Sequence, residues 1–139
     1  MSANVSESSI EMISAYLNLI GQPARIRILT VISAQEACVC HLEAALGMRQ
    51  ASISQHLMIL RKAGIVSTHR VGRNIFYQLT QFEWVNLVRQ IAPLAGADLS
   101  ELERLSIRPI AGCCCPQCNP GLSPEQTCRK SKPSSTKRG

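Results

Sequence analysis

Seven cysteines carry the most specific chemistry in this 139-residue chain, and they are unevenly placed. Cys38 and Cys40 flank Val39. Two thiols one residue apart, in a non-helical segment leading into a short helix, can both turn toward one soft ion, and nearby helix N–H groups favour the thiolate. Cys113, Cys114, Cys115 and Cys118 crowd into six residues, and Cys115–Pro116–Gln117–Cys118 has the spacing of a metal-binding turn. Against these stand plainer readings: a buried pair of small apolar side chains for Cys38 and Cys40, and an oxidation-prone or redox-active tail for the others. His41 follows the first pair and reads either as a nitrogen ligand or as a polar contact at the helix start. Cys128 stands alone among polar residues and carries no specific role.

A second chemistry lies between the two cysteine groups. From Ala44 to Phe82 there is no Asp or Glu, while Arg49, Arg61, Lys62, Arg70, Arg73, His56 and His69 fall there. Residues 1–108 otherwise balance ten basic against eight acidic residues, and most of the net charge of +6 comes from the last thirty residues. A one-sign segment inside a balanced domain suits a polyanion, because each neutralised phosphate releases counterions. The plainer alternative is a solvated basic face. Five aromatics are too few for a platform that stacks single-stranded bases.

These groups must be held by a small, mainly helical scaffold. Ser8–Ser9–Ile10–Glu11 reads as a capping box for a first helix bearing Ile10, Ile13, Leu17 and Ile20. Gly21 closes it, and Pro23 opens a strongly apolar second helix through Ile26, Ile28, Leu29 and Ile32. A short helix, roughly His41 to Leu46, ends at Gly47. After the turn Met48–Arg49–Gln50 a longer one runs from about Ala51 to Ala63, with Ile53, Leu57 and Leu60 as its core stripe. Two strands, Val66–Arg70 and Asn74–Leu79, flank a turn at Gly72. Thr80–Gln81–Phe82–Glu83 reads as another capping box for a helix to about Leu94, and Asp98 opens a last short one. The expected fold is therefore mainly α with a small β-hairpin: a winged helix–turn–helix over residues 1–108 that also dimerises, followed by a flexible, irregular Cys/Pro-rich basic tail over 109–139. Two helices around a short turn, with a basic hairpin after them, place the second helix in a DNA major groove and the hairpin on the neighbouring backbone. Gln50, Ser52, Ser54, Gln55 and His56 are suited to base edges or phosphate oxygens; Arg61, Lys62 and the hairpin-tip Arg70 and Arg73 suit phosphates. His69 reads as a phosphate contact. With no apolar run of about 18 residues and no leader-like start, the chain is expected to be cytoplasmic, without a membrane partner.

Three stretches resemble the ArsR/SmtB family of metal-responsive repressors: Leu19 to Leu29, the thiol box Glu36–Ala37–Cys38–Val39–Cys40–His41–Leu42, and Ala51 to Val66, which matches the family's recognition helix. The resemblance covers about residues 10 to 95. It implies a winged-helix homodimer that binds double-stranded operator DNA and lets go when a metal or metalloid binds. It also shows what this chain lacks. Zinc-sensing members are known for Asp and His ligands on the long C-terminal helix, but here that helix has Glu83 alone among such groups. Some arsenic-sensing members carry a third cysteine where this chain has Glu43. With no cysteine before Cys38, only the tail can complete a thiolate site, from the same subunit or from the other.

The expectation is thus a non-enzymatic repressor sensing a thiophilic ion, As(III) first, then Cd(II) or Pb(II). Three thiolates satisfy As(III) and Cd(II) favours four. Zn(II) in a closed tail knuckle is a separate, structural option. One rival is a thiol-redox or persulfide-responsive repressor of the same fold. Another is a cysteine-rich metallochaperone or thiol enzyme such as an arsenate reductase, which leaves the acid-free basic segment unexplained and lacks an oxyanion loop.

Overall fold

The computed structural model describes residues 2–81, 83–107, 110, 112–113 and 115–121, with side chains from residue 8 onward. Six helices and one hairpin follow in the order α1 (Ser2–Ile20), α2 (Pro23–Ala34), α3 (Val39–Leu46), α4 (Gln50–Lys62), β1 (Val66–Val71), β2 (Asn74–Leu79), α5 (Glu83–Ala95) and α6 (Leu99–Arg104). This is a winged helix–turn–helix with a cysteine-rich segment behind it.

Helix α2 is the centre of the domain. Five consecutive residues, Ile28 to Ile32, are buried, so the helix is covered on all sides. Pro23 sits in its first turn, where a missing N–H breaks no bond. From α4 the expected stripe Ile53, Leu57 and Leu60 packs into the same core, joined by Leu42, Val66 and Trp84. Gly47 ends α3 in the left-handed conformation (φ 65°), its N–H closing on the Glu43 carbonyl. That left-handed residue lets α4 leave at once in a new direction. The hairpin pairs Val66 with Leu79 and Val71 with Asn74, so only Gly72 and Arg73 form the turn.

Three local readings need correction. The box at Ser8 lies inside α1, which begins at Ser2, because nothing from residue 2 to 20 breaks a helix. Thr80 does not cap α5; its hydroxyl donates to the carbonyls of Gly64 (2.7 Å) and Ile65 (3.0 Å), tying the end of the hairpin to the turn after α4. Helix α3 starts at Val39, with Cys38 as its N-cap and the Cys38 carbonyl accepting from Leu42 N–H at 3.2 Å. Cys40 and His41 are therefore helical. By contrast Asp98 caps α6 as expected, accepting from the Ser100 amide at 3.0 Å.

One tie was not foreseen. Ala37 exchanges two backbone hydrogen bonds with Tyr77, at 3.0 and 2.8 Å, and so lies against β2 like a third strand. Among the described residues no helix is long and apolar enough to cross a membrane.

Stability should follow the α4 stripe. Leu57→Ala removes a fully buried side chain and should lower unfolding free energy by about 2–5 kcal/mol in urea denaturation. Met58→Ala, at an exposed position one residue on, should change it by less than about 0.5 kcal/mol.

Candidate metal centre and nucleic-acid face

The Ala37–Tyr77 pairing fixes the backbone just before Cys38, and the first turn of α3 then sets the sulfurs. Cys38 Sγ and Cys40 Sγ lie 3.0 Å apart, both buried. Opposite them stands the chain after α6. Cys113, Cys115 and Phe76 share one buried cluster with Cys38 and Cys40, with Ile110, Ala44 and Cys118 packed at its edge. None of the five described cysteines is in a disulfide. Cys114 and Cys128 lie outside the described residues, as does any reading of the chain beyond Gly121.

A tight turn delivers the tail sulfurs. The Cys115 carbonyl accepts from the Cys118 amide (3.2 Å) and the Asn119 amide (3.0 Å). The Asn119 side chain donates to the carbonyls of Cys113 (2.7 Å) and Cys115 (3.0 Å), bridging the two strands of the turn. His41 completes the group. Its Nδ1 lies 3.3 Å from Cys118 Sγ, 3.5 Å from Cys113 Sγ and 3.9 Å from Cys115 Sγ. Sequence reasoning left His41 between ligand and polar contact, and missed Asn119, whose position directly after the last cysteine of a tight turn was the available signal.

The electrostatics of this cluster are unusual. For Cys113 the hydrogen bond with Cys115 favours the thiolate, but the neighbouring Cys40 and burial outweigh it and push the thiol well above its ordinary range. Cys115 is pushed higher still by Cys113, then Cys38, then burial. Sulfurs this close cannot all ionise beside one another, since each thiolate opposes the next. A bound cation reverses that balance, because a coordinating thiol is deprotonated outright. Five sulfurs and one imidazole can satisfy a three-thiolate ion such as As(III), a four-thiolate Cd(II), or a mixed nitrogen and sulfur set for Zn(II).

The other candidate residues lie on a separate face. Gln50, Gln55, Arg61, Lys62, Arg70 and Arg73 are exposed, while Ser52, Ser54 and His56 are half-buried on α4. His56 is partly committed within the protein: its Nδ1 accepts from Arg25 Nε at 3.1 Å, and Arg25 also donates to the Leu19 carbonyl at 2.8 Å. Burial, then the Arg25 charge, lower the pKa of its imidazole from the ordinary histidine value. His69 contacts Glu36 and stacks on Phe76 at a ring separation of 5.7 Å. Glu36 also accepts from Gln117 at 3.5 Å, so wing, α3 approach and tail turn meet there.

Comparison with known proteins bears on the helix–turn–helix and its family. Residues 22–68, from the start of α2 into β1, match the bacterial regulatory protein, arsR family. The chain is 33% identical over 88 residues to the transcriptional repressor SmtB homolog of Synechocystis sp., covering 63% of this chain and 67% of that one. It is 32% identical over 85 residues to the biofilm growth-associated repressor of Xylella fastidiosa, covering 61% and 75%. Among solved structures, the repressor BigR from Xylella fastidiosa superposes with a TM-score of 0.57 at 29% identity, over 66% of this chain and 91% of that one. NolR from Sinorhizobium fredii gives 0.60 at 27% identity, over 67% and 93%. The SmtB homolog and BigR are named as transcriptional repressors, and the biofilm-associated relative as a repressor. The chain is a winged-helix member of the arsR family of bacterial regulatory proteins.

Proposed function

We propose that this protein is a homodimeric repressor that binds operator DNA and releases it when a thiophilic ion bridges the start of α3 and the tail turn. The observation that supports this is the burial of Cys113 and Cys115 against Cys38 and Cys40, at the N-terminus of the helix directly before α4. As(III) is the favoured inducer, with Cys38, Cys40 and either Cys113 or Cys115 as its three thiolates; Cd(II) and Pb(II) come next. These contacts lie within one chain, so no donor from a second subunit is needed. A reducing cytoplasm suits such a sensor, since its thiols must stay free.

An ion that draws the α3 sulfurs and the tail together must clamp or shift α3. Helices α3 and α4 pack on one another across a short turn, and Ala37 is bonded to the wing, so both DNA-contacting elements feel that shift. A coupling of about 1–3 kcal/mol per event would weaken operator binding about 5- to 150-fold.

The dimer reading rests on apolar surface. Ile10, Ile13 and Leu17 on α1 are at least half exposed, and α5 adds Val85, Ile91 and Leu94. A second copy seated on these faces would cover them and set two α4 helices about 34 Å apart on a pseudo-palindromic site. Sedimentation should give a dimer at micromolar concentration, with or without metal; a monomer under both conditions would sink this part.

Two further outcomes are expected. Ser54→Ala or Gln55→Ala should cost about 1–3 kcal/mol at particular base pairs. Arg70→Ala/Arg73→Ala should weaken binding to all sequences alike and reduce the salt slope by about one per arginine. An unchanged slope would remove the wing from the interface.

The deciding experiment is operator release titrated with As(III), Cd(II), Pb(II) and Zn(II) in parallel. Cys38→Ser and Cys40→Ser should each abolish release by As(III) while leaving metal-free DNA affinity nearly intact. A chain ended after Gly112 should bind DNA and lose most of its response. Release at the same As(III) concentration by that shortened chain would show that the tail donates no ligand. Because Cys38 and Cys40 sulfurs are in contact, an oxidant arm belongs in the same experiment. A reversible disulfide that releases DNA without added metal mass would favour the thiol-redox alternative.

A further inference from the structure

Release by a three-thiolate ion uses Cys38, Cys40 and one tail sulfur, and gives no role to His41 or Cys118. Yet His41 Nδ1 and Cys118 Sγ lie 3.3 Å apart. The Nδ1 of His41 and the sulfurs of Cys113, Cys115 and Cys118 all lie within 4.8 Å of one another. One imidazole nitrogen has either a single lone pair or a single N–H in the ring plane. A hydrogen bond therefore accounts for one sulfur near it, not for three at 3.3, 3.5 and 3.9 Å. Donors placed around a tetrahedral ion, with ordinary Zn–S and Zn–N bonds, stand about 3.6 Å apart. The observed distances bracket that value.

The backbone supports the same arrangement. The Cys115 amide donates to Cys113 Sγ at 3.5 Å, and the Cys118 amide faces the Cys115 sulfur, contacts that favour the thiolate form. Asn119 holds the carbonyls of Cys113 and Cys115, fixing the turn from outside the donor set. His41 is fully buried on the first turn of α3, so its ring has one orientation to offer.

We propose that His41 Nδ1 and the sulfurs of Cys113, Cys115 and Cys118 form a four-coordinate site, within one chain, for a borderline-soft divalent cation of the Zn(II) class. Four protein donors leave no open position, so the ion is structural and fastens the tail turn to α3. Its binding sends the three thiol protons to solvent. Ligand softness separates this site from the inducer set: an imidazole among thiolates suits Zn(II), whereas an all-sulfur set suits As(III). Cys113 and Cys115 face both sets. The site shares those two residues with the repressor reading but does not depend on DNA release.

Co(II) reports such a centre directly, through sulfur-to-metal charge transfer and the ligand-field bands of tetrahedral geometry. Titration of the reduced full-length chain should give that spectrum at one equivalent per chain, reversed by Zn(II). Cys118→Ser, at a half-buried position, should remove about a third of the charge-transfer intensity, one thiolate of three. It should also weaken Co(II) binding more than about 100-fold, since even outer partners of a ligand are worth about 10- to 100-fold. His41→Gln should alter the ligand-field bands and keep the charge-transfer intensity; circular dichroism checks its fold, and Cys118→Ser stands alone if it does not fold. Cys38→Ser/Cys40→Ser should leave the spectrum unchanged. The proposal is overturned if that double variant abolishes the spectrum while Cys118→Ser does not alter it, or if no tetrahedral Co(II) spectrum forms. Operator release by As(III) in the same double variant is read separately. Its loss with an intact Co(II) spectrum upholds both readings, and its persistence overturns the inducer reading alone.

Discussion

Thiols crowded into a buried space can carry negative charge only if a cation shares it. Cys38 and Cys40 from α3 and Cys113 and Cys115 from the tail meet in one such space, and the two tail thiols are held neutral by their neighbours and by burial. Neutral, the group behaves as a small apolar cluster around Phe76 and helps seat the tail. Bound to an ion, it becomes a set of thiolates with fixed directions. Ion binding would thus change the character of the same residues, and the change would be centred on the first turn of α3.

That location gives the cluster its reach. Ala37 is paired with Tyr77 of β2, so the residue before the first cysteine belongs to the wing as much as to the helix. Glu36, one step earlier, touches His69 of β1 and accepts from Gln117 in the tail turn. Downstream, α3 ends at a left-handed glycine and α4 begins three residues later. The start of α3 is thus joined to the hairpin by backbone hydrogen bonds and to α4 by packing. The exposed apolar residues of α1 and α5 belong to neither the hairpin nor the cysteine cluster. The buried α2 packs on α3, α4, β2 and α5, and so ties these elements together.

Most of the scaffold was legible because its signals are local. Pro23 at the start of α2, Gly47 after α3, the Ile53–Leu57–Leu60 stripe and the Gly72 turn each act within a few residues, and each lies where the pattern put it. The readings that failed depended on distant partners. Thr80 looks like a helix cap in sequence but finds carbonyls at Gly64 and Ile65 closer to hand. The Glu36 partner of His69 was likewise out of reach of local patterns, because the Ala37 pairing brings it there. The candidate site divides in the same way. Cysteine spacing pointed to both halves, and the absence of a cysteine before Cys38 pointed to the tail. For His41 the sequence leaves ligand and polar contact equally open, because the choice depends on how a turn held by Asn119 lies across the start of a helix more than seventy residues earlier.

The central claim is that the tail and α3 supply one ligand set to a thiophilic ion. Arsenic-edge X-ray absorption of the reduced full-length protein with one equivalent of As(III) tests it most directly, because it counts the sulfurs around the ion. The account predicts a single shell of three sulfurs with no oxygen neighbour. Two sulfurs and an oxygen, the pattern of Cys38 and Cys40 acting without the tail, would contradict it.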